Sequence, residues 1–215
     1  MKSQIDPDIL EKWLQGWSLS REFPPPVKYR SGFKVEVGQP TQKARYVFPA
    51  LTADLIKLSG TIDTPWVFLK ACAPPKELMK AFPSKWILQP QGYFMTCFHP
   101  MNFRQGRLQS HYHFELKQYN STFLITIVSD KGELASSGRV VLVDDLAVFD
   151  RISTTIDHQR KGLATQLMKE LEKIALSNGI TKNILVATDE GRQLYQSLGW
   201  DPYSYYSSVV IPLKD

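Results

Sequence analysis

Cysteine is scarce in this 215-residue chain: Cys72 and Cys97 are its only two, and neither has a partner at zinc-ligand spacing. That excludes a zinc ribbon and a disulfide framework and leaves both thiols as buried apolar fillers. No stretch approaches the roughly 18 consecutive apolar residues of a membrane-spanning helix. The residues from Met1 to Trp17 mix charges with apolar side chains, unlike a secretory leader, so the expected place is the cytoplasm, with no membrane partner. Neither G-x-x-x-x-G-K-[ST] nor G-x-G-x-x-G occurs, which disfavours the common nucleotide folds. Internal repeats and low-complexity segments are absent too.

What is there is an ordinary globular composition, 43% hydrophobic and 22% charged, enough to build a sizeable core. The net charge of +5 is uneven: residues 1–109 carry 15 Lys/Arg against 8 Asp/Glu, and residues 110–215 carry 11 against 13. The basic residues of the first half are dispersed, without a run of five. They read as a solvated surface, and nucleic acid is not the expected partner.

Hydrophobic periodicity lays out the elements. Ile9, Leu10, Trp13, Leu14 and Trp17 fall at helical spacing before the prolines at 24–26. Phe33, Val35 and Val37 alternate with Lys34 and Glu36 as in a half-buried strand, and "RYVFP" reads as another. A helix over 51–59, a strand in "PWVFLKAC" and a proline-opened helix in "PPKELMKAF" follow. From Lys85 on the pattern is β-rich, and its short breaks predict antiparallel neighbours. The last third predicts a helix over 159–178, a strand at "NILVA", a helix over 190–198 and a strand at "YYSSVVI". In the first of these helices Leu163, Leu167, Leu171 and Ile174 form a stripe that must pack on a sheet.

The stretch from Thr154 to Ala175 joins a strand, a basic loop and that helix. Amides at a helix start lack intrahelical partners and carry partial positive charge, so the turn suits an anion. Gly162 and Ala164 keep the approach open, and Arg160 and Lys161 add charge. A tight turn packed on a strand accounts for the same glycine equally well.

Gln159-Arg160-Lys161-Gly162-Leu163-Ala164 resembles the Q/R-x-x-G-x-G/A motif of the GNAT acetyltransferase superfamily, and "NILVATDEGRQLYQSLGW" resembles that family's second signature, with Trp200 where Phe is common. The likeness covers about residues 121–215. It implies an α/β (α+β) fold with a mixed, mostly antiparallel twisted sheet flanked by helices, the GNAT-like acyl-CoA acyltransferase fold. Residues 111–215 would then be the acetyl-CoA-binding core. Residues 1–110 would be a degenerate GNAT-like half or an acceptor-binding insertion, since the usual helices are not found just before Ser121.

The same resemblance implies an N-acetyltransferase in which acetyl-CoA and a small amine or peptide acceptor meet in a ternary complex, with no metal; a homodimer stays open. Gln159, Arg160, Lys161, Gly162, Leu163, Ala164 and Thr165 would hold the pyrophosphate. Ile152, Ser153 and Thr154 would pair with the pantetheine arm, with Arg192 and Thr188 near the cofactor. Tyr195 falls on the family's acid. Asp150, expected to share strand parity with Ile152 and Thr154, is the first choice of base, and Glu115 the second. His111 and His113 are expected to be ordinary strand residues and His158 an exposed loop residue. The alternative is a non-catalytic acyl-CoA binding or sensing module.

Overall fold

Alternation along the strands sorts the apolar side chains onto the two sides of one sheet. The computed structural model describes residues 1–103 and 106–213. Helix α1 (Pro7–Leu19) begins with Pro7 in its first turn and the Asp6 carboxylate accepting from the Asp8 amide. Strands β1 (Val27–Tyr29), β2 (Gly32–Gln39) and β3 (Gln42–Phe48) run antiparallel. Helix α2 (Ala53–Thr61) then carries the chain to β4 (Val67–Ala71), parallel to β3. After α3 (Pro75–Ala81), β5 (Ile87–Leu88) and β6 (Gly92–Cys97) comes a meander of β7 (Tyr112–Tyr119), β8 (Thr122–Ser129), β9 (Leu134–Val143) and β10 (Leu146–Thr154). A 3-10 turn (Ile156–His158) precedes α4 (Leu163–Ser177), and β11 (Lys182–Ala187), α5 (Asp189–Ser197) and β12 (Asp201–Val210) complete the order.

The strands form one twelve-stranded sheet in the order β1-β2-β3-β4-β12-β6-β11-β10-β9-β8-β7, with β5 also on β12. The mixed, mostly antiparallel sheet is the one expected. Its middle is not: β12 pairs with β4, β6 pairs with β11, and β6 and β12 pair with each other. Each half thus takes the strand beside its parallel pair from the other half, and the seam expected near residue 110 is crossed twice. Antiparallel neighbours from Lys85 on hold for β7 to β10 but not for β6. The connection over residues 98–111 is far longer than a hairpin turn and lets β7 start at the opposite edge.

Helix α1 covers the centre of one face. Its Leu10, Trp13, Leu14 and Trp17 pack on Val35 and Val47 from the first half and on Leu146, Val148 and Ile184 from the second. Burying Leu10 and Leu14 alone contributes about 1.5–3 kcal/mol each. Gly16 permits the close approach, because a Cβ there would lie 2.6 Å from a Val148 methyl. On the other face α4 and α5 cover Met95, Ala147, Phe149 and Leu185, while α2 and α3 cover Phe48, Leu69 and Val209.

Candidate active site

Strands β10 and β11 are paired in parallel only from Leu146↔Lys182 to Val148↔Ile184. Beyond that point β10 stays with β9 and β11 stays with β6, so a wedge opens between them. Among the described residues the β10 edge facing the wedge has no strand partner from Phe149 onward, and its backbone groups require water or a ligand. A bulge between Asp150 and Ser153, with Arg151 at φ 54°, bends the strand there. It also changes which side chains share a face. Val148 packs under α1, as does Leu146, and Asp150 follows them, whereas Ile152 packs on the α4 side. The expected parity of Asp150 with Ile152 therefore fails, because the extra residue of the bulge reverses the alternation.

From β10 the chain turns to Gly162, the residue that opens α4. Its φ of 76° is left-handed, and among the described residues nothing lies within 4 Å of where a Cβ would stand. No side chain caps this helix. By contrast the Thr188 hydroxyl caps α5, accepting from the Gly191 amide at 3.1 Å. The open turn and the wedge form one cleft of about 750 Å³. Ile152, Ser153, Thr154, Gln159, Arg160, Gly162, Leu163, Ala164 and Thr165 line one wall, and Thr188, Glu190, Gly191, Gln193, Leu194 and Tyr195 the other.

Two of the expected cofactor residues stand outside that lining. The Lys161 ammonium donates to the Asp157 carbonyl at 2.9 Å and to the Tyr112 hydroxyl at 3.4 Å, and so faces a neighbouring cavity of about 430 Å³ that also includes Arg107 and Gln166. The Arg192 guanidinium lies 4.4 Å over the Tyr93 ring. The candidate bases separate as well. Asp150 accepts on Oδ2 from the Ser20 hydroxyl and the Arg21 guanidinium, both at the end of α1. Glu115 sits on β7, three strands from β10 or about 14 Å away, and accepts from Thr126 Oγ1 at 3.3 Å.

Tyr195 is 7% exposed. Burial, and after it the negative charge of Asp150, pushes its phenol well above the ordinary tyrosine range, so it keeps its proton. His111 stacks on Tyr112, and His113 faces Glu115 at 3.6 Å. His158 is not the exposed loop residue expected. The 3-10 turn folds its ring over Tyr112, with Nδ1 2.7 Å from the hydroxyl and Nε2 3.6 Å from Glu133. Sequence reasoning missed Ser20 and Arg21, which lie about 130 positions from Asp150 with no local signal. It also missed Glu190, Gly191 and Gln193, although Thr188 before an acidic first turn marks that helix start.

An unpartnered strand edge ending at an uncapped, glycine-opened helix fits a long anionic ligand laid along the strand with its phosphates at the turn. The sequence pattern of the acetyltransferase (GNAT) family matches residues 88–200, which takes in β6, the wedge and the cleft. The chain belongs to that family. As a GNAT protein it is an acyltransferase of the acyl-coenzyme-A-dependent, acetyl-transferring type. Solved GNAT structures share its fold along nearly their full length. A GCN5-related N-acetyltransferase from Kribbella flavida superposes with a TM-score of 0.68 at 14% identity, over 99% of this chain and 98% of that one. A GNAT-family protein from Novosphingobium aromaticivorans gives 0.62 at 13% identity over 98% and 100%. A tandem GNAT protein from the clavulanic acid biosynthesis pathway gives 0.57 at 13% identity over 98% and 97%. No curated protein matches the chain in sequence.

Proposed function

We propose that this GNAT protein moves an acetyl group from acetyl-coenzyme A to a primary amine by direct attack in a ternary complex. The observation that carries the reading is the wedge between β10 and β11 ending at the uncapped start of α4. The amides from Gln159 to Thr165, with Arg160 beside them, bind the pyrophosphate. The free edge at Ile152, Ser153 and Thr154 pairs with the pantetheine arm as an added strand, and an N–H of that edge polarises the thioester carbonyl. The donor supplies the activated thioester. The amine nitrogen forms the new amide bond as the carbon–sulfur bond breaks, and the Tyr195 hydroxyl gives its proton to the leaving sulfur. Asp150, held through Oδ2 by Ser20 and Arg21, takes the amine proton on its other oxygen.

The first half serves, in this reading, as a degenerate second copy that supplies the acceptor wall. Its β3–α2–β4 order repeats that of β10–α4–β11, and the full-length likeness to a tandem GNAT protein supports the reading.

Heating the purified protein with acetyl-coenzyme A at a hundredfold its dissociation constant is expected to add about 2.7 kcal/mol of stability. No shift defeats the proposal. Thiol release with a panel of amines measures transfer, and Tyr195→Phe is expected to lower kcat by about 100-fold with the thermal shift intact. A thermal shift with no thiol release from any amine identifies a non-catalytic acyl-coenzyme-A binding module instead.

A further inference from the structure

A third cavity, of about 300 Å³, lies on the α1 side of the sheet, against the same bulge that opens the wedge. Arg151 lines it while the next residue, Ile152, lines the acyl-coenzyme-A cleft, so the two spaces lie on either side of the β10 backbone. Its other walls are Arg21 and Trp17 from the end of α1 with Phe23 beyond it, Arg45 with Gln42 from β3, and Gln39 from β2. Three guanidinium groups therefore surround one small space. Among the described residues only Arg21 of the three has a carboxylate partner, Asp150.

Arg45 is the unusual member. It is 7% exposed, its guanidinium lies 3.3 Å from the centre of the Trp17 ring, and Gln42 Oε1 accepts from it at 3.2 Å. Among the described residues its Nε is buried without a hydrogen-bond partner, as is the hydroxyl of neighbouring Tyr206, which helps hold the Arg45 charge. Burial, and after it the Arg21 charge, pushes Arg45 down to about 10, against the opposing pull of Tyr206 and Asp150. The Lys70 ammonium, donating to Ser208 Oγ at 2.7 Å, is also held well below its usual range by burial and by Arg45 and Arg21. Arg45 is thus a buried cation with an unused donor and no carboxylate bonded to it among the described residues, the one nearby anion, Asp150, being taken by Ser20 and Arg21.

We infer that this cavity binds an oxyanion carried by the acceptor, so that the acceptor is a small amine joined to a carboxylate or phosphate. The inference rests on the acetyl-transfer reading above and extends it to the substrate class. A guanidinium presents a planar fork that matches a carboxylate or phosphate with two donors, and Trp17 holds the forks of Arg45 and Arg21 by stacking. Asp150 does not line this space but is bonded to Arg21, which does, and its negative charge favours the acceptor's ammonium at the wedge. The acceptor's two charges are thus separated, anion on the arginines and amine toward the thioester.

Two measurements test this. In the full chain, the Arg45 Nε–H resonance, assigned by its loss in Arg45→Gln, is expected to shift saturably with inorganic phosphate and with glycine, and to stay fixed with glycinamide. This readout needs no acetyl donor. In turnover assays, α-amino acids or aminoalkyl phosphates are expected to exceed the corresponding amides or neutral amines at least tenfold in kcat/KM. That ratio falls toward one in Arg45→Gln, and in Arg151→Gln, whose exposed position tolerates substitution should the first variant fold poorly. Preference for amino acids or for aminoalkyl phosphates distinguishes carboxylate from phosphate. An Arg45 resonance unmoved by every anion, or amides used as well as acids, overturns the inference. Anion binding with no thiol release from any amine overturns the transfer reading and leaves the anion site standing.

Discussion

Strands β3 and β4 stay paired through five successive positions, from Ala44↔Val67 to Phe48↔Ala71, whereas β10 and β11 part after three. Both pairs are parallel and both are joined by a helix, yet only the second makes a cleft. In the first, Phe48, Leu69 and Ala71 are drawn into the core under α2 and α3 right to the strand ends, which leaves no wedge. The helix that follows begins with Thr52, whose hydroxyl accepts from the Leu55 amide. In the second pair the bulge at Arg151 bends β10 away and Gly162 leaves the helix start bare. Two local differences, a bulge and a missing cap, separate a closed strand pair from one that opens onto a cleft.

Filling the bare helix start breaks the comparison most severely. Gly162→Val places a β-branched residue at a left-handed φ, at about 1–2 kcal/mol, and puts methyl groups where the phosphates would lie. The acetyl-coenzyme-A thermal shift is expected to vanish, with the melting temperature of the free protein lower by a few degrees. Next in size, Asp150→Asn leaves Arg21 without its charge partner. Both side chains are largely buried, so a loss of about 2–3 kcal/mol is expected in denaturant titration. A change under 0.5 kcal/mol would show that Arg21 finds another anion.

Thr52→Ala sharpens the contrast from the other side. Removing that cap is expected to cost about 1 kcal/mol and to leave acetyl-coenzyme-A affinity unaltered, as a purely structural strand pair requires. The smallest effect concerns Glu172 on α4, which accepts the Met101 amide at 2.6 Å and whose carboxyl is raised by burial. The native state holds that proton more tightly than the unfolded chain, so stability is lost as pH rises through the window between the two pKa values. Glu172→Gln keeps an acceptor for Met101 and removes the buried charge. A slightly higher melting temperature is expected at neutral pH, with the difference gone once the pH falls below the unfolded carboxylate range.

Local pattern made much of this legible. The period of two in Phe33, Val35 and Val37 lies in β2, and the Leu163, Leu167 and Leu171 stripe packs α4 on the sheet as its spacing required. Gln159, Arg160 and Gly162 to Thr165 come together along the cleft because the motif is contiguous, although Lys161 turns away and the helix expected from 159 begins only at Leu163. What stayed hidden depends on distant partners. Nothing near Asp150 announces a bulge that turns it toward Ser20 and Arg21. The dispersed basic residues of the first half read as a solvated surface, yet Arg45 is buried and faces Arg21 and Arg151 across a cavity. The exchange of β6 and β12 is also invisible to periodicity, since either strand looks the same whichever neighbour it takes.

That exchange sets the order in which the molecule can be completed. Lys70 meets Ser208 across 138 positions, so the edge of β4 stays unpaired until nearly all of the described chain has left the ribosome. Non-local pairing of this kind slows folding and leaves exposed edges that invite association with other chains. Neither half can be expressed as a finished unit: cutting ahead of β12 strips a strand from the first half's sheet and from β6 together. A nascent chain stalled before Asp201 is accordingly expected to need chaperone protection, and a β12 segment supplied in trans to restore it.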